Sequence, residues 1–144
     1  MTRCIVTALA VGLLVAADDT KKDREQLQGT WRAVSSEQGG KAQKNAKEHL
    51  LIFDGDTFTL KSGDQVFAKG TFTLDPAQSP KAIDMTITEG LREQDKGKQV
   101  HGIYELGKDT LKWCTANPGD RDRPAEFATK EGTKHMLVTL RKEK

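Results

Sequence analysis

The sequence has 144 residues, of which 35% are hydrophobic and 31% charged, with a formal net charge of +2. That length bounds a single domain, and the interspersed charges exclude the one-sided basic footprint of a nucleic-acid-binding protein. Large apolar residues recur through the second half, enough for a core whose outer face is polar, as in a small closed barrel.

The chain opens with Met1-Thr2-Arg3, a positive start, followed by an apolar run from Cys4 to Val15. A run of about a dozen residues suits the core of a secretory signal and is too short to span a bilayer. Val15-Ala16-Ala17 supplies the small residues a signal peptidase requires, so residues 1–17 are expected to be a signal peptide cleaved before Asp18. Export to the periplasm or the cell exterior follows, with no membrane span left after cleavage; the alternative is an uncleaved anchor. Cleavage removes Cys4 and leaves Cys114 as the lone cysteine. The exported domain then has no internal disulfide, and Cys114 is expected to be buried and inert.

Residues 18–28 are polar and helix-friendly. Thr20-Lys21-Lys22-Asp23 resembles a capping box and Leu27 is the one apolar anchor. The segment reads as a short helix or as a frayed linker, and the barrel domain then occupies 29–144. Strands follow in a regular train: Trp31 to Ser36, Leu50 to Phe53, Thr57 to Lys61, Val66 to Leu74, Ala82 to Thr88, Val100 to Leu106, a strand through Leu111 and Trp113, and His135 to Arg141. Gly39-Gly40 ends the first, and Lys41 to His49 reads as a loop or a short helical stretch over an open barrel end. Asp54-Gly55-Asp56, Ser62-Gly63-Asp64 and Gly107-Lys108-Asp109 mark tight turns. Gly70 in mid-strand predicts a bend. Residues 89–99 form a charged hairpin loop. The longest irregular stretch is 117–132, with a short extended piece around Phe127.

About eight strands on hairpin-length connections predict an all-β, antiparallel up-and-down barrel with a short N-terminal helix. A β-sandwich of equal strand count is the alternative. Gly29-Thr30-Trp31 on the first strand and Arg141 on the last decide for closure: an Arg packed over that Trp makes the two terminal strands neighbours. Gly29, Trp31 and Arg141 are therefore the expected closure residues.

Several stretches match a family pattern: Leu27-Gln28-Gly29-Thr30-Trp31, Phe53-Asp54-Gly55-Asp56, Pro80-Lys81-Ala82-Ile83-Asp84, Gly102-Ile103-Tyr104-Glu105-Leu106, Asp109-Thr110-Leu111-Lys112, Arg123-Pro124-Ala125-Glu126-Phe127 and Leu140-Arg141. On these the chain resembles an uncharacterised family of secreted lipocalin-like domains abundant in planctomycete bacteria. The resemblance implies the barrel fold and carries no activity. Likeness to true lipocalins is looser, resting on Gly29, Trp31 and Arg141. The helix that flanks their barrel is not expected after the last strand, and the short strands limit the height of a calyx.

Candidate chemistry is sparse. Asp54-Gly55-Asp56 lacks the acidic ladder and the final Glu of a calcium loop and reads as a turn. His49, His101 and His135 fall at no metal-ligand spacing with one another or with Cys114, and His101 and His135 read as solvated residues of the outer wall. Asp84 and Glu105 read as surface charges. No nucleophile elbow, phosphate loop or zinc-protease motif occurs. No catalytic residue, metal ligand or cofactor is assigned, and the protein is expected not to be an enzyme.

Two functional readings remain. In the first, the barrel binds a small apolar ligand through Trp31, Phe58, Phe72, Tyr104 and Trp113, with 41–49 as a lid and Arg123 and Phe127 at the mouth. In the second, the core is filled and the protein is a structural or interaction module working through loops 89–99 and 117–132. An eight-stranded barrel lies at the size where either outcome is physically sound. For Arg123 the structural alternative is a pairing with a backbone carbonyl or an acid such as Asp109, while Phe127 plugs the barrel end.

Overall fold

The computed structural model of the protein describes residues 19–143; the expected signal peptide lies outside the described residues. A helix, α1, covers residues 19–27. Nine strands follow: β1 (Gly29–Gln38), β2 (Lys41–Ala42), β3 (His49–Asp54), β4 (Thr57–Ser62), β5 (Gln65–Asp75), β6 (Ala82–Gly90), β7 (Gln99–Leu106), β8 (Thr110–Thr115) and β9 (Met136–Lys142). All neighbours are antiparallel, and β3 to β9 pair in sequence order. β1 pairs with β3 on one side and with β9 on the other, which closes an eight-stranded barrel; β2 is a two-residue ribbon on the end of β1. Closure leaves none of those eight strands as a free edge, and the architecture is that of a small lipocalin-like barrel.

Alternation along the strands produces this shape. Phe72, Leu74, Ile83, Met85, Ile87, Leu111, Trp113, Val138 and Leu140 all point inward and are buried. They meet Trp31, Leu51, Phe53 and Tyr104 in one core, where Phe53 and Phe72 stack edge to face with centroids 5.0 Å apart. Each such side chain contributes about 1.5–3 kcal/mol on burial. Packing of this core holds the barrel together, and Cys114 is a free, buried thiol.

The N-terminal segment is a helix, and it closes one end of the barrel. Leu27 is fully buried, and its carbonyl accepts a hydrogen bond from the Trp31 indole Nε1 at 2.7 Å. Asp23 Oδ2 accepts from the Tyr104 hydroxyl at 2.7 Å and from Lys81 Nζ at 2.9 Å. Gln26 donates to the Gly107 carbonyl, and Gln28 both donates to and accepts from Gly55. Gly29, at φ 117°, makes the turn from helix to strand in a conformation few side chains tolerate.

The Trp31 contact differs from expectation. Arg141 is exposed and pairs in register with Arg32, whereas Lys142 pairs with Trp31 and places its Nζ 5.4 Å from the ring centre. The closure between first and last strands stands. The cation that caps it is one residue further on, because only side chains of Trp31's own parity reach that face.

Irregularities in the ladders decide the rest. Gly70 sits at a register shift between β5 and β6, and a Cβ there would lie 1.7 Å from the Thr86 carbonyl oxygen. The expected bend is thus also a close approach of two backbones. A second shift, between Ala33 and Ser35, leaves Val34 as an extra, exposed residue of β1. Such a bulge re-aims the side chains beyond it. Trp31 and Ala33 point inward before it; Ser36 and Gln38 do so after it.

Candidate functional site

The end of the barrel opposite α1 is not filled. A pocket of about 430 Å³ opens there, bordered by Leu60, Phe67, Trp113, Met136, Val138 and Leu140 on its apolar walls. Gln38, His49, Leu50, Leu91, Arg92, Asp95, Asn117 and Pro118 complete it. A smaller bay of about 150 Å³ shares Gln38, Leu60, Asp95, Trp113, Asn117, Pro118 and Met136 with it, and reaches Phe58, Met85, Ile87, Val100 and Thr115. The larger space alone falls within the roughly 300–1,000 Å³ of small-molecule sites.

The expected ligand-contacting residues separate into three groups. Trp113 borders both spaces and Phe58 the smaller one. Trp31, Phe72 and Tyr104 belong instead to the packed core; Trp31 and Tyr104 form its floor against α1. Burial first, and then the hydrogen bond donated to Asp23, push the Tyr104 phenol far above its ordinary range. It therefore remains a protonated donor and a structural group.

Arg123 and Phe127 are not at the mouth. Arg123 lies on the outer wall, where it donates to the carbonyls of Ile83 and Gly102 at 3.1 and 2.8 Å and to Asp84 Oδ1 at 2.7 Å. The structural alternative therefore holds for Arg123, with Asp84 and not Asp109 as the acid. Phe127 is half-buried and outside the core cluster, so it plugs neither end, and the strand expected around it is absent. Segment 117–132 runs as a strap over the outer wall. Beyond Arg123 it passes Cys114, whose sulfur lies 3.9 Å from the Ala128 carbonyl oxygen. Near its end Thr129 donates to Glu37 at 2.6 Å and accepts from the Gly40 amide at 2.9 Å. The strap exists because the outer wall is apolar beneath it: Ala82, Ile103 and Cys114 are register neighbours, all buried and all outside the central core.

His101 corrects a further expectation. It is not a solvated histidine: its Nδ1 lies 2.6 Å from the Asp84 Oδ1 that also receives Arg123. Burial would raise the Asp84 carboxyl, but the hydrogen bonds and charges of His101 and Arg123 outweigh it and hold the group below the usual carboxylate range. An Asp–His pair is two-thirds of a hydrolytic triad. Among the described residues, however, no hydroxyl or thiol is hydrogen-bonded to His101, and the nearby thiol is unfavourably placed for nucleophilic work. Burial raises the Cys114 thiol, against the lowering effect of a backbone hydrogen bond at Ala128 and with a further push from Glu37. No group of three or more His, Cys, Asp or Glu side chains is placed to hold a metal among the described residues. No helix among them is long and apolar enough to cross a membrane.

The rim of the pocket comes from loop 89–99 and not from the expected lid. Leu91, Arg92 and Asp95 border it, with Leu91 52% exposed. Arg92 Nε pairs with Asp95 Oδ2 at 3.0 Å, which fixes the loop across its own short turn. From segment 41–49 only His49 joins the lining, edge-on to Phe67 at 5.8 Å. Gln38, like Phe67, is a wall residue that the alternation of its strand does not place inward. Strict alternation from Trp31 turns it outward, and only the bulge at Val34 brings it in. Comparison of the chain with protein-family models, curated proteins and solved structures gives no match.

Proposed function

We propose that this protein is an exported, non-catalytic barrel that holds a small, mostly apolar molecule in the pocket at its open end. The observation that supports this reading is the unequal filling of the barrel. One end is packed solid by Trp31, Tyr104 and Leu27. The other leaves about 430 Å³ against Leu60, Phe67, Trp113, Met136 and Val138. Small barrels close their interiors with side chains unless something else occupies the space. An apolar guest removes its own surface and the wall's from water, worth about 25 cal/mol per Å² before the costs of association.

The test uses N-phenyl-1-naphthylamine, a neutral apolar fluorophore. Saturable one-to-one binding with enhanced emission is expected, weakened at least tenfold by Met136→Trp, which fills the pocket from its wall. Emission that rises without saturation, or that Met136→Trp leaves unchanged, overturns the reading.

A further inference from the structure

The pocket wall contains an unanswered hydrogen-bond donor. Trp113 is 5% exposed, and its indole Nε1 has no hydrogen-bond partner among the described residues. Trp31, the other tryptophan, has its Nε1 satisfied by the Leu27 carbonyl. Buried indole N–H groups normally find an acceptor, since an unmade hydrogen bond costs free energy that folding must recover elsewhere. Trp113 borders both the main pocket and the smaller bay, so the empty space lies directly beside the orphaned ring.

Three of the polar groups nearby carry no charge. Gln38 and Asn117 border both spaces, and Thr115, 2% exposed, borders the smaller bay. All three are uncharged. The charges at the site are already answered or in water: Arg92 and Asp95 pair with each other, and Lys134, which touches the smaller bay, is exposed. An anion brought to Trp113 would face the Asp95 carboxylate, whose side chain is 14% exposed and borders both spaces, and a cation would have to displace Arg92 and Lys98 from that carboxylate after losing its own hydration.

We infer that the natural ligand is an uncharged molecule with an apolar body and a hydrogen-bond acceptor, such as a carbonyl or ether oxygen, that meets the Trp113 indole N–H. Seating it requires the indole to turn toward the bay, where the space is free. The neutral side chains of Gln38, Thr115 and Asn117 surround that polar point, and Leu60, Phe67 and Met136 take the apolar body. This assignment rests on the ligand-binding reading above and specifies the chemistry of the guest.

The experiment compares three probes of one shape: methyl 2-naphthyl ketone, 2-isopropylnaphthalene and 2-naphthoate. Affinities are measured by calorimetry on wild type and on Trp113→Phe, and the two indole N–H resonances of the wild type are followed by NMR. The ketone-to-hydrocarbon affinity ratio is expected to fall about 3- to 10-fold in Trp113→Phe, the value of one neutral hydrogen bond. In the wild type the ketone, and not the hydrocarbon, moves the Trp113 indole proton downfield, while that of Trp31 stays in place. An unchanged ratio with equal shifts for both probes overturns the inference and leaves the pocket reading standing. Tighter binding of 2-naphthoate than of the ketone overturns the uncharged assignment. Failure of all three probes to bind overturns the pocket reading itself, and this inference with it.

Discussion

Lys142 lies over Trp31, its Nζ 5.4 Å from the ring centre, and also donates to the Gln26 carbonyl at 3.1 Å. One side chain on the last strand thereby joins the first strand, the final turn of α1 and the barrel floor. Arg141, its neighbour in sequence, points to solvent.

This relationship predicts an asymmetry between two adjacent cations. Lys142→Met, which keeps the aliphatic stem, is expected to cost about 1 kcal/mol, the worth of a partly exposed cation–π contact. Arg141→Met should stay within about 0.5 kcal/mol of wild type, as substitutions away from such features do. Urea unfolding midpoints compare the two; equal losses would remove the special role of Lys142.

Trp31→Ala removes the largest fully buried side chain of the floor and orphans the Leu27 carbonyl. A loss of about 3–5 kcal/mol is expected, read from the same urea titrations. Binding at the opposite end should survive in whatever fraction remains folded, because Trp31 does not border the pocket.

The Asp84 cluster predicts a pH dependence with a definite sign. A carboxyl held below its unfolded value contributes stability that is fully present above about pH 4 and is lost as pH falls through the lower, folded value. Thermal melts from pH 6 to pH 2 should therefore show a steeper acid decline for wild type than for Asp84→Asn. The variant should start lower at pH 6, since Arg123 and His101 lose their shared anion. Parallel curves would show that the cluster does not report on folding.

The strap predicts a coupling between Arg123 and Cys114, which are neither adjacent in sequence nor hydrogen-bonded to each other. Arg123→Ala deletes three hydrogen bonds donated by the guanidinium, one of them to a carboxylate, and is expected to cost about 2 kcal/mol. Loosening the strap exposes the thiol, so labelling by a disulfide reagent should be slow in wild type and at least tenfold faster in the variant. Unchanged labelling would mean that the wall under the strap is protected by other contacts.

Gly70→Ala tests the close approach of β5 to β6. A methyl group 1.7 Å from a carbonyl oxygen cannot be accommodated by a side-chain shift. The loss should exceed the roughly 1–3 kcal/mol typical of overpacking, measured as a fall in the unfolding midpoint or in soluble yield. The same substitution at Gly55, with nothing within 4 Å, probes only backbone conformation and serves as the control.

Strand order, turn positions and the inward set were legible along the chain because alternation and turn chemistry are local. Phe72, Leu74, Met85, Leu111, Trp113 and Val138 declare their face by parity alone, and the Trp31 end of β1 with the final strand marks closure. The segment before Gly29 was ambiguous by itself: Leu27 and the Thr20-to-Asp23 spacing allow a helix, but its anchors, Tyr104, Lys81, Gly107 and Gly55, lie 27 to 81 residues away. What only the tertiary structure decided is where local parity fails or is irrelevant. The bulge at Val34 turned Gln38 inward, the strap buried Cys114 from outside the barrel, and Asp84 drew His101 and Arg123 to one oxygen. The empty end beside Trp113 belongs to this second class. A side chain's direction is set by its own backbone, but whether the space it faces is full is set by the size of every residue around the ring, and by the stagger of eight strands that no one of them encodes.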